Sequence, residues 1–207
     1  IPILLDVLDA LGIPLLGVDD YEADDLMATF AVKQPGPVRI VTGDRDLFQL
    51  ADDERDVKIV YLAKGISNHD LVDRAWIKQR YEIPGDRYAL FAMIRGDASD
   101  GLPGIRGIGE KGAATIANSF STLGEVMKAA AAGDERLTPN LCKKLLESAD
   151  YAAIAPKLVG CALDVAIPEM DIALPKKPKS LAKIEKLKEE YGLGASIDRI
   201  ISALNWV

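Results

Sequence analysis

Three groups of carboxylates stand out in the first hundred residues. They are Glu22-Ala23-Asp24-Asp25, the pair Asp44 and Asp46 in Thr42-Gly43-Asp44-Arg45-Asp46, and the pair Asp97 and Asp100 in Gly96-Asp97-Ala98-Ser99-Asp100. Each group alone has an ordinary explanation. Acidic residues in a first helical turn answer the helix dipole, and an Asp after a strand is often a turn or cap residue. Together they ask for more. Glu22 and Asp25 are spaced i,i+3 and share a helix face. Asp44 and Asp46 follow the strongest predicted strand, at the edge where open α/β sheets place their sites. Carboxylates gathered there repel one another unless cations lie among them. Hard oxygen donors without His or Cys select magnesium or manganese. Two such ions side by side suit phosphodiester hydrolysis, in which one activates water and both offset charge on the phosphoryl oxygens.

The third acidic group runs directly into Leu102-Pro103-Gly104-Ile105-Arg106-Gly107-Ile108-Gly109-Glu110-Lys111-Gly112-Ala113. This contains a formal G-x-G-x-x-G, but a predicted helix and an acidic turn precede it where a dinucleotide fingerprint needs a strand. Glu110 after Gly109 excludes a Walker A loop. What remains is a helix–turn–helix hairpin whose glycines bring backbone close to a phosphate, held by amides at a helix N-terminus. Arg106 and Lys111 add charge. Such contacts grip a nucleic-acid backbone without reading sequence. The alternative is a plain interhelical turn, yet Gly101 to Gly109 holds four glycines and a proline, more than such a turn needs.

The elements that position these residues alternate in the first half. Helices are expected at 3–11, 22–32, 70–81 and 87–95, with one or two helical turns at 46–51. Strands are expected at 13–18, 38–42 and 57–62. Gln34-Pro35-Gly36-Pro37 is a clear break. Alternation of this kind predicts an α/β fold, a parallel sheet with flanking crossover helices. From residue 101 the pattern is nearly all helical, at 110–120, 123–132, 140–148, 151–158, 181–191 and 195–204. Pro175-Lys176-Lys177-Pro178-Lys179 reads as a basic linker. The expected division is a metal-binding core over 1–100 and a helical duplex-binding domain over 101–207.

Composition bounds the chemistry. The lone histidine, His69, lies in a polar stretch, which weighs against His-base catalysis and His-rich zinc sites. Two cysteines, Cys142 and Cys161, are too few for a disulfide framework and read as small buried apolar residues in a reducing compartment. No apolar run approaches membrane-spanning length. The net charge of −7 argues against a nucleic-acid partner until its distribution is considered. Residues 1–100 hold 19 acidic and 11 basic side chains, whereas residues 101–207 hold 13 and 14. The excess is therefore confined to the half with the candidate ion site. The chain opens Ile1-Pro2-Ile3-Leu4-Leu5, without Met or a signal-peptide pattern, and reads as if entered in mid-protein.

In order and spacing, the three acidic motifs and the glycine-rich segment resemble the bacterial 5′ nuclease family, the flap endonucleases and the 5′-3′ exonuclease domain of DNA polymerase I. The resemblance is strong over about residues 1–130. It implies a PIN-like core followed by a helical domain with a helix–three-turn–helix. It implies that Glu22, Asp24, Asp25, Asp44, Asp46, Asp97 and Asp100 bind two or more Mg2+ or Mn2+ ions, with Asp25, Asp44, Asp46, Asp97 and Asp100 catalytic. It places Arg45, Arg106, Gly107, Gly109 and Lys111 on DNA and a K+ ion on backbone oxygens of the hairpin. The implied activity is 5′-3′ exonuclease or flap endonuclease action on duplex DNA with a 5′ flap or 5′ end, in replication and repair. The implied setting is a cytoplasmic, nucleoid-associated monomer that works with a DNA polymerase, fused or separate. The family pattern opens with an Asp-bearing strand and a basic arch, which this sequence does not contain. The alternative is thus a catalytically incomplete DNA-binding module of the same descent. An α/β small-molecule phosphatase would leave the glycine-rich hairpin and the basic linker unexplained.

Overall fold

In the computed structural model, which describes residues 1–206, the sheet has three strands: β1 (Val38–Thr42), β2 (Val57–Tyr61) and β3 (Asp70–Val72). β2 is central, parallel to β1 with Val38 opposite Val57, and antiparallel to β3 with Ile59 opposite Val72. The sheet is therefore mixed, with an antiparallel edge on the expected parallel pair. The helices are α1 (Pro2–Leu11), α2 (Ala23–Lys33), α3 (Arg74–Tyr81), α4 (Tyr88–Arg95), α5 (Glu110–Ser119), α6 (Leu123–Ala132), α7 (Pro139–Glu147), α8 (Ala149–Val159), α9 (Leu181–Tyr191) and α10 (Gly194–Ala203). None of these helices is long and apolar enough to cross a membrane.

Two expected elements differ. Ile13–Val18 is not a strand, and Leu15 within it is 57% exposed. An apolar run becomes a strand only beside a partner ladder. Among the described residues no strand pairs with it, and Pro14 has no N–H to donate. The second difference is at 70–81, expected as one helix. Its first residues pair with β2, and α3 starts only after Asp73, whose carboxylate caps it by accepting from the Trp76 N–H at 2.8 Å. Cys142 and Cys161 are free and half-buried.

The chain forms two compact units. The larger, Glu22–Val165, is built on one apolar core. Phe48 lies at its centre, fully buried, with the rings of Tyr61, Trp76 and Tyr88 at 4.9, 5.5 and 5.3 Å. α4 buries Tyr88, Phe91 and Ile94 in this core and packs against α5 and α8. The strand-bearing part and helices α5 to α8 thus share one interior. The smaller unit joins Ile1–Tyr21 to the residues from Ala166 onward. There α1 packs Val7, Ala10 and Leu11 against Ile184, Leu187 and Ile197 of α9 and α10. Lys183 reaches Asp6 and Asp9 at 2.9 and 3.0 Å.

Candidate metal centre and nucleic-acid interface

β1 ends at Thr42, and a tight turn brings the second acidic group over the sheet edge. The Thr42 hydroxyl accepts from the Asp44 N–H at 3.0 Å, and Asp44 Oδ1 accepts from the Asp46 N–H at 2.8 Å. These bonds hold the turn and start the 3-10 helix Asp46–Leu50. The third group is a loop closed on itself, with Asp97 and Leu102 exchanging backbone hydrogen bonds at 3.0 and 2.8 Å. Glycine is required where this loop departs from α4 and where the following hairpin passes beneath. Gly96 and Gly104 have φ of +74° and +65°. A Cβ on Gly96 would lie 2.5 Å from the Gly104 nitrogen, and one on Gly104 would lie 2.6 Å from the Arg95 carbonyl oxygen.

This geometry brings Asp46, Asp97 and Asp100 together, with one carboxylate oxygen from each within 4.8 Å of the others. The electrostatics match. Asp46 is pushed up to about 6, first by burial and then by Asp44, Asp100 and Asp97, with Arg95 opposing. Asp97 is held below the ordinary carboxylate range, first by the Ser99 hydroxyl that donates to it. Its Oδ1 also accepts from the Ser99 N–H at 3.0 Å, and its Oδ2 meets Arg45 at 2.6 Å and Arg95 at 3.4 Å. Three carboxylates with no imidazole or thiolate among them form a donor set that suits a hard divalent cation.

The first acidic group stands apart from that trio. Asp24 is raised by burial first and then by Asp44 and Glu22, so its charge does reach the second group. Asp25 has both oxygens engaged by amides: Oδ2 accepts from the Glu22 N–H at 3.2 Å and Oδ1 from the Ala162 N–H at 2.7 Å. It ties the start of α2 to the segment after α8. Cys161 lies near these carboxylates, and burial followed by their charge pushes its thiol up to about 12.

The hairpin joins α4 to α5. Ile105 and Ile108 are buried anchors, while Arg106, Gly107, Gly109 and Lys111 face solvent. The Ile105 N–H donates to the Ile94 carbonyl at 2.9 Å, which pins the turn to α4. Gly109 caps α5 without a side-chain hydrogen bond, so the first-turn amides point outward with no side-chain acceptor. The Gly107 carbonyl accepts from Lys144 of α7 at 2.7 Å.

The comparisons with known proteins decide the family. Residues 1–82 match the family model described as 5′-3′ exonuclease, N-terminal resolvase-like domain, and residues 83–181 match 5′-3′ exonuclease, C-terminal SAM fold. The chain is 46% identical to a 5′-3′ exonuclease of Streptomyces coelicolor, over 99% of this chain and 68% of that protein. The chain belongs to the 5′-3′ exonuclease family. Members of this family are nucleases that hydrolyse phosphodiester bonds. The DNA polymerase I of Thermus aquaticus is 31% identical, over 92% of this chain and 23% of its own length. The T5 5′-exonuclease solved with divalent zinc shares the fold at a TM-score of 0.57 and 20% identity, over 72% of this chain and 53% of that one. The chain thus spans about two-thirds of its 5′-3′ exonuclease relative and about half of the T5 structure.

One residue beside the acidic trio escaped the sequence reading. Arg95 reads in sequence as a basic residue closing a helix, but its guanidinium turns back to Asp97 and donates to the Gly96 carbonyl at 3.0 Å. Nothing in the local sequence marks it as a partner of Asp97.

The hairpin geometry also separates two tests. Gly109→Val meets open space at a φ that any residue adopts, so the variant folds and shades the α5 amides. Its duplex affinity is expected to fall about equally for all sequences. Lys111→Ala is expected to do the same and to lower the salt slope by about 1. Gel-shift titrations at several salt concentrations check both, and a loss confined to one DNA sequence contradicts a backbone-only grip. Gly107→Val is a poorer test, because φ there is +77° and the new side chain meets Lys144.

Proposed function

We propose that Asp46, Asp97 and Asp100 form the divalent-metal centre of a structure-specific 5′ nuclease, with Asp44, Asp24, Glu22 and Asp25 as the flanking carboxylates. The convergence of three carboxylate oxygens within 4.8 Å carries this reading. Magnesium or manganese fits the all-oxygen donor set, and such ions supply an activated water and charge stabilisation on the phosphoryl oxygens. The chain's own groups do the rest. Ser99, Arg45 and Arg95 fix the Asp97 carboxylate in place. Arg45 is less than half exposed and, among the described residues, donates to Asp97 alone, which leaves further guanidinium N–H groups for a substrate phosphate.

The substrate we propose is DNA with a 5′ flap or a 5′ end. The part up to Asp100 carries the chemistry, and the helical part from Gly101 grips duplex through the hairpin. The T5 relative has been solved as a complex with DNA and metal ions, which supports this assignment. Relatives that are DNA polymerases support a polymerase as the working partner, fused or separate. The test is cleavage of a labelled 5′-flap duplex. Manganese should give cleavage, and EDTA should abolish it. Duplex binding without cleavage in any divalent ion would favour a catalytically incomplete DNA-binding module instead.

A further inference from the structure

α8 and the residues that follow it are tied by side-chain hydrogen bonds to the framework of all three acidic groups. Near the start of α8, the Tyr151 hydroxyl donates to the Met93 carbonyl of α4 at 2.9 Å. At the end of α8, the Val159 carbonyl accepts from Gln49 Nε2 at 2.8 Å, and the same nitrogen donates to the Asp46 carbonyl at 2.8 Å. Just beyond, the Ala162 N–H donates to Asp25 at 2.7 Å, and the Ala162 carbonyl accepts from the fully buried Thr29 hydroxyl at 3.2 Å. The carbonyls met by Tyr151 and Gln49 belong to helix ends, where the helix itself supplies no donor. Met93 lies in the last turn of α4, and the Asp97 N–H that would continue the ladder donates to Leu102 at 3.0 Å instead. Val159 is the last residue of α8. Both contacts are part-buried, so cutting either leaves a backbone acceptor unpaired.

We infer that Gln49 and Tyr151 are positioning residues that set Asp46 against Asp97 and Asp100, with α8 as the common support. Gln49 spends its side-chain amide on fixing the start of the 3-10 helix, at Asp46, to the end of α8. Tyr151 fixes the last turn of α4, from which the Asp97 loop departs. α4 and the 3-10 helix also pack directly on each other within the apolar core. Apolar packing is non-directional and sets their separation. The hydrogen bonds to α8 are directional and set their register. The effect on ion binding rests on the proposed metal centre; the hold on the two acidic loops does not.

Tyr151→Phe deletes one hydroxyl and keeps the ring. Gln49→Leu replaces the amide by an apolar group of similar size, and Tyr151→Phe carries the test alone if the Leu variant melts early. The first readout is manganese(II) affinity of the DNA-free protein, from the electron paramagnetic resonance signal of the free ion. Groups that hold metal ligands in place are worth about 10- to 100-fold in metal affinity, so each variant should bind manganese about tenfold more weakly. Duplex affinity in saturating calcium should be unchanged, and single-turnover cleavage at saturating DNA should fall, so the loss appears in kcat and not in KM. The second readout is amide exchange in EDTA. The Leu102 N–H, which closes the Asp97 loop, should exchange faster in Tyr151→Phe, and the Phe48 N–H, which closes the 3-10 helix, faster in Gln49→Leu. Folded variants with wild-type manganese affinity would overturn the inference. So would a drop in duplex affinity as large as the drop in manganese affinity, since the contacts would then serve the grip. If the wild type itself bound no manganese, the metal centre would fail, and the exchange comparison would still decide: faster exchange at Leu102 and Phe48 upholds the positioning role, and unchanged exchange removes it.

Discussion

Asp46→Asn should abolish flap cleavage while raising the melting temperature of the metal-free protein at neutral pH. Both effects come from one carboxylate. Loss of a group that holds charge at the reacting phosphate costs about 100- to 1000-fold in rate. Without ions, the same group is a liability, because burial and the neighbouring Asp44, Asp100 and Asp97 push it up to about 6. The folded state therefore holds this proton more tightly than the unfolded chain does. Stability falls as pH rises from the ordinary Asp value towards 6, and the whole penalty is present at pH 7. Asn carries no charge to repel, and the Asp46 carboxylate accepts no hydrogen bond among the described residues that the swap would break. In EDTA the variant should melt above the wild type at pH 7, with the gap closing below about pH 4. Single-turnover cleavage in manganese and melting curves across pH measure the two effects. A variant that cuts at the wild-type rate would remove Asp46 from the metal centre.

Asp97→Ala should abolish cleavage too, but with the opposite sign in stability. Asp97 is 9% exposed and is the common partner of Ser99, Arg45 and Arg95. Its removal leaves the Arg95 guanidinium, 13% exposed, beside an empty space. Breaking a buried pair by deleting one partner costs about 3 kcal/mol or more, and the exposure of Arg45 puts this case at the lower end. Because Asp97 is held below its ordinary value, its contribution is complete above that value and disappears as pH falls through the folded one. The variant should therefore melt far below the wild type at pH 7, and the difference should shrink in acid. Two ligands of one proposed centre thus shift metal-free stability in opposite directions. A melting comparison in EDTA detects this without any nuclease assay.

What the sequence made legible follows from the range over which each interaction acts. The second and third acidic groups are local motifs, and their turns are made by hydrogen bonds two residues apart, such as Asp44 to Asp46 and Asp97 to Ser99. Their chemistry could be read from residue type and spacing. Asp25 could not be placed so well, because its clamp partner Ala162 lies 137 residues away. Arg95 and Lys144 were missed for a related reason: a basic side chain on a helix gives no local sign of which way the fold will turn it. The strand expected at Ile13–Val18 failed because apolar character alone supplies no pairing partner, and the run stays partly exposed. The antiparallel β3 was missed because its three residues run straight into the cap of α3. The helices from Glu110 onward were legible because their apolar spacing and caps, Thr122 and Thr138 among them, are local.

The backbone crossing of Gly96 and Gly104 bears on how nucleases of this kind can be recombined. Neither position admits a side chain, and each glycine closes on the other's surroundings, so the acidic loop and the hairpin meet as bare main chain. Exchanging hairpins between relatives to change the DNA substrate is then not a matter of transplanting residues 104–113 alone. A junction cut between the two glycines would set a foreign turn against a native loop at a spacing that tolerates no adjustment. The smallest transferable cassette runs from the end of α4, before Gly96, to the first turn of α5. It carries Asp97 and Asp100 with it, so a recombinant that inherits the proposed grip inherits its donor's proposed metal ligands as well.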